Sequence, residues 1–145
     1  MRQLLLLEKG TEIVQTLEQR IESLRIIEVG QDLLGFRIKK QALGENYFGL
    51  CPFHVEKTAS FFLKPQRNHY ICYGCQQTGN PLDLPFALTR TKEQIPFYPD
   101  YFNYPLTDPV DYFRNKMGID LRDKIIKELF LKLSGRSEEI LRYFS

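Results

Sequence analysis

Residues 51–75, CPFHVEKTASFFLKPQRNHYICYGC, decide how the rest of the chain is read. They hold a Cys-x-x-His pair, Cys51 and His54, and a Cys-x-x-Cys pair, Cys72 and Cys75, with seventeen residues between the pairs. Zinc has no ligand-field preference and takes four soft or borderline ligands tetrahedrally, so two tight pairs on facing turns can close a shell. These three cysteines are the only ones in the chain, and a Cys72–Cys75 disulfide would strand the first pair. That arithmetic points to a metal and a reducing compartment. Pro52 fixes φ just after the first ligand, and Gly74 leaves room for backbone N–H groups to approach a sulfur.

Between the pairs, Phe61, Phe62, Tyr70 and Ile71 suit two antiparallel strands joined around residues 65–68. The expected object is a zinc ribbon holding one structural ion. Two rival readings are weaker. A Cys72/Cys75 redox pair would normally open a helix after a strand, whereas CYGCQQTGN is turn-like on both sides. His69 lies three residues before Cys72, and on an extended strand that spacing sends the two side chains to opposite faces, which favours His54 as the ligand. A shell of four protein ligands keeps no position for an activated water, so hydrolytic zinc chemistry is not expected and no residue is assigned a catalytic role.

At these residues the sequence resembles the amino-terminal zinc-binding domain of bacterial DnaG-type DNA primases. The resemblance rests on Asn46-Tyr47-Phe48-Gly49-Leu50 leading into Cys51-Pro52-Phe53-His54, then Glu56-Lys57-Thr58, Ser60-Phe61, Tyr70-x-Cys72-x-Gly74-Cys75 and Gly79 with the apolar helix after it. It covers roughly residues 21–119, with 85–107 poorly matched. It implies a module that holds single-stranded template DNA and works beside a TOPRIM-type catalytic chain and a helicase in the cytoplasm. The catalytic domain of such primases needs a glutamate and an Asp-x-Asp set for magnesium. No Asp-x-Asp occurs in these 145 residues, so the chain is not expected to polymerise nucleotides by itself.

Net charge is only +2, which excludes a polyelectrolyte-like DNA binder and makes the distribution of charge the informative quantity. From residue 36 to 75 six cations (Arg37, Lys39, Lys40, Lys57, Lys64 and Arg67) face two acids, Glu45 and Glu56. Alternation in residues 36–40 reads as a half-buried strand with its cations on the wet face, and 47–50 as another strand after a turn at 42–46. The expected exposed face sets Arg37, Lys39, Lys57 or Lys64 beside Tyr47, Phe62 or Tyr70. Single-stranded DNA suits such a face, because bases stack on rings while Lys and Arg track phosphates. Lys57, in the Glu-Lys-Thr of the primase-like pattern, leads the candidate contacts, followed by Lys64, Arg67, Lys40, Lys39 and Tyr70.

The fold class expected is α+β, a zinc ribbon on a small antiparallel sheet flanked by helices. Residues 1–35 read as a helical extension, with Thr11 as a cap, an amphipathic stripe of Ile13, Leu17, Ile21 and Leu24, and a second helix between Gly30 and Gly35. Residues 36–90 form the ribbon, and 91–107 an aromatic, proline-interrupted loop that covers the sheet or docks another protein. In 108–145, Asp108 and Asp120 cap helices that Gly118 and Gly135 end. No apolar run is long enough for a membrane span. The alternative function is a non-enzymatic interaction module of a mobile element or replication system, with zinc as scaffold only.

Overall fold

The computed structural model of the chain describes residues 16–94 and 108–145. Thr11, and residues 95–107 of the loop expected over 91–107, lie outside them. Five short strands, β1 (Ile38–Lys40), β2 (Tyr47–Gly49), β3 (Phe61–Lys64), β4 (His69–Cys72) and β5 (Thr78–Gly79), form one antiparallel sheet in chain order. The architecture is α+β, with helices before and after the sheet.

Register sorts the side chains into two faces. Lys40, Tyr47, Leu63, Tyr70 and Gly79 form one row across the strands, and Ile38, Gly49, Phe61 and Cys72 form another on the same face. The row between them, Lys39, Phe48, Phe62, Ile71 and Thr78, projects the other way. Phe61, Leu63 and Tyr70 are fully buried, whereas Phe62, Ile71 and Phe48 are only half-buried. One face is therefore core and the other is open.

Helix α2 (Ile26–Leu34) covers the core face, burying Ile26, Val29, Leu33 and Leu34. The helix expected between Gly30 and Gly35 starts earlier, at Ile26, and runs through Gly30. A Cβ at Gly30 would sit 2.3 Å from Leu63 Cδ1, so the glycine serves close helix-to-sheet approach rather than termination. The break lies earlier, between α1 (helical over 16–22) and Ile26. There Asn68, at the β3–β4 tip with φ 54°, accepts from Ile26 N at 2.7 Å and donates to Leu24 O at 2.9 Å. A short 3-10 turn, Gly35–Arg37, follows α2, so the strand expected from residue 36 begins at Ile38.

After the ribbon come α3 (Leu84–Gln94), α4 (Pro109–Met117), α5 (Lys124–Leu133) and α6 (Ser137–Tyr143). Helix α3 runs through residues 91–94, which the sequence reading placed in the loop. Asp108 caps α4 by accepting from Val110 N at 2.9 Å, with Pro109 in the first turn, and Gly118 ends it with φ 69°. The cap of α5 is Asp123, not Asp120. Asp120 Oδ1 instead accepts from Arg122 N at 2.9 Å, a side-chain turn that sets up the real start. Phe86, Phe113 and Phe130 pack these helices together, with Phe113 and Phe130 ring centroids 4.8 Å apart.

One buried carboxylate joins the two halves. Asp83, just before α3, accepts from Asn80 N at 2.7 Å and from Gly135 N and Arg136 N at 3.0 and 2.8 Å. Arg136 in turn donates to Thr78 O on the edge strand β5. No helix among the described residues is long and apolar enough to cross a membrane.

Candidate metal centre and nucleic-acid interface

Cys51 and His54 leave the end of β2, while Cys72 closes β4 and Cys75 sits in the tight turn before β5. The structure brings all four together, with one donor atom from each lying within 4.8 Å of the others. A tetrahedral ion with metal–sulfur bonds of about 2.3 Å needs sulfurs about 3.8 Å apart. Cys51 Sγ and Cys75 Sγ are 3.8 Å apart, as that shell requires and far beyond a disulfide bond. The residues present fit a zinc ion.

Backbone donors are already turned toward the sulfurs. Phe53 N–H points at Cys51 Sγ (3.3 Å), and Gly74 N–H and Cys75 N–H point at Cys72 Sγ (3.3 and 3.4 Å). Ser60 Oγ also lies 3.2 Å from Cys72 Sγ. The backbone N–H donors stabilise thiolate, the form that binds metal. In the absence of the ion, burial pushes the Cys51 thiol far up. Burial acts the same way on Cys72, but hydrogen bonds, those from the N–H groups of Cys75 and Gly74 among them, outweigh it and leave this thiol below its ordinary value. Zinc binding must therefore expel a proton at Cys51, whereas Cys72 is the better prepared of the two.

His69 stands apart from this cluster. It pairs with Lys64 across β3 and β4, on the open face. Burial, then the charges of Lys64 and Arg67, push its imidazole below the ordinary value.

The open face carries a short ladder of rings. Phe48 stacks on Phe62 at 6.0 Å with planes 24° apart, and Phe62 meets Tyr73 edge-on at 5.5 Å. Lys64 Nζ lies 5.0 Å from the Tyr73 ring centre, and Lys39 shares the row of Phe48 and Phe62. Of the aromatic residues expected on this face, Phe62 is there. Tyr70 is not: it points into the core, packed on Phe53 and Phe61, where no base can reach it. Tyr47 shares its row and packs against the core. The miss has a simple cause, since alternation along one strand gives two faces without saying which is buried. Phe48 and Tyr73 take their place, each one residue from a core-face neighbour, Tyr47 and Cys72.

The expected cations scatter. Lys39 and Lys64 belong to the open face, and Lys57 is exposed on the loop after His54. Arg67 is exposed at the β3–β4 tip, and Lys40 lies in the core-face row, its Nζ donating to Gly44 O at 2.8 Å.

A family model described as the CHC2 zinc finger, the zinc ribbon of DnaG, matches residues 9–128. A DNA primase of Clostridium acetobutylicum is 32% identical over 138 residues, covering 91% of this chain and 20% of its own length. A DNA primase of Chlamydia muridarum is 33% identical over 129 residues, 88% of this chain and 18% of the relative. A DNA primase of Geobacillus stearothermophilus is 40% identical over 80 residues, 55% of this chain and 13% of the relative. The chain thus spans about a fifth or less of each of these relatives.

Proposed function

The chain belongs to the CHC2 zinc-finger family of DnaG-type primases, and from that premise we propose that it is the template-holding zinc module of a primase, acting in DNA replication beside a catalytic domain on another chain. Its zinc is structural, with Cys51, His54, Cys72 and Cys75 as the ligands. Single-stranded DNA lies across the open sheet face, its bases on Phe48, Phe62 and Tyr73 and its phosphates near Lys39 and Lys64. Lys57 and Arg67 extend the contact beyond the sheet. A TOPRIM-type chain supplies catalysis, a helicase is a further partner, and the setting is cytoplasmic.

The observation that carries this reading is the pairing of half-exposed rings with lysines on a face that no described helix covers. Each base stacked on a ring contributes ~1–3 kcal/mol, and phosphate contacts make binding fall with salt. Titrating labelled single strands at two salt concentrations tests it. Saturable binding is expected that weakens with salt, with Lys57→Ala and Lys64→Ala, and about tenfold with Phe62→Ala. Absence of saturable binding, or variants that bind as well as the parent, would refute it.

A further inference from the structure

The metal cluster is wrapped around one acidic side chain that the ligand spacing does not reveal. Glu56 lies between the two knuckles and is almost covered, its side chain 11% exposed. Its Oε2 accepts from Cys51 N at 2.7 Å and Ser60 N at 3.1 Å, which closes the loop that carries the first ligand pair. Its Oε1 accepts from the Ser60 hydroxyl and lies 3.3 Å from His54 Nε2. The same Ser60 oxygen touches Cys72 Sγ, so a single carboxylate is connected to ligands of both pairs.

We propose that Glu56 is the positioning residue of the zinc site, holding the proton of His54 on Nε2 so that Nδ1 is the nitrogen presented to the ion. This rests on the zinc reading above. The chemistry follows from what each atom can do. A neutral imidazole has one N–H and one lone pair, and a carboxylate at Nε2 accepts only from the N–H tautomer there, leaving the lone pair on Nδ1. Outer-shell carboxylates of this kind orient the ring and raise its basicity.

Glu56→Gln separates this role from simple loop closure. The amide oxygen can keep accepting from Cys51 N and Ser60 N, but then its NH2 group faces His54 Nε2. Two donors cannot face each other, so the ring is driven to carry its proton on Nδ1, the form that cannot ligate through that atom.

The test uses the full chain, loaded with zinc and selectively labelled with 15N at histidine. In the parent protein, long-range 1H–15N spectra should show His54 with Nδ1 bound to metal and a proton on Nε2. Zinc release to a chromogenic chelator should be about 10- to 100-fold faster in Glu56→Gln, with the His54 nitrogen pattern altered. Metal bound through Nε2 in the parent protein overturns the inference without any variant. So does a Glu56→Gln chain that releases zinc at the parental rate with an unchanged ring. A parent protein that holds no zinc at all would sink the metal assignment itself, which the stoichiometry measured at the start reveals.

Discussion

The ribbon and the C-terminal helices solve the same problem by different means. In the ribbon, residues 38–79, the strands are two to four residues long and one face of the sheet is open, so the interior is thin. Its cohesion comes from the packing of α2 on one face, the four-donor cluster and the hydrogen bonds around Glu56. In the helical half, Phe86, Phe113, Phe130, Tyr143 and Phe144 stack ring on ring, with centroids from 4.8 to 6.2 Å apart. Stability there is ordinary burial of large side chains. The ribbon thus has one face packed under α2 and one face open, with the metal cluster joining its turns.

The largest expected effect is that of removing the metal. Binding of a structural zinc contributes about 10–16 kcal/mol in small zinc domains, so chelation should unfold the ribbon. In hydrogen exchange, amides of β2 to β5 should lose protection in chelator while those of α4 to α6 retain it. Loss of protection at one rate throughout would break the contrast and make the chain a single cooperative unit. Next is Phe113→Ala, which removes a fully buried ring from the aromatic stack and should cost about 3–5 kcal/mol by denaturant titration. Zinc stoichiometry should stay at one. A variant that also sheds its metal would show that the ribbon leans on the helices.

The smallest effect belongs to the seam. Asp83→Ala takes the acceptor from the partly buried N–H groups of Gly135 and Arg136 and should cost about 1–3 kcal/mol. Its sharper signature is a melting curve resolved into two steps, because the carboxylate ties the ribbon's exit to the α5–α6 junction. A single step at lower temperature would place the coupling elsewhere.

Some of this was legible from the residues and some was not. The ligand pairs were readable because a short spacing within each pair is a local constraint that survives any larger arrangement. Asp108, Pro109 and Gly118 were readable for the same reason, since a helix cap is fixed by neighbours within a turn. Gly30 was misread because a glycine in a helix can serve either termination or close approach, and only Leu63, thirty-three residues away, distinguishes them. Asp120 was misplaced by one turn because Asp123, an equally good cap, lies three residues on.

By itself, then, the sequence determined what depends on nearby residues: the two metal-binding pairs, the alternation of the strands, the zinc-ribbon family and the positive balance around the ribbon. Tertiary structure decided which face of the sheet was buried, and so exchanged Tyr70 and Tyr47 for Phe48 and Tyr73 as rings open to a ligand. It also placed Glu56 at the hub of the cluster and Asp83 at the seam. Glu56 draws its donors from Cys51 and Ser60 nearby and meets the second ligand pair only through Ser60, whereas Asp83 receives donors more than fifty residues away, a convergence that exists only once the chain has folded.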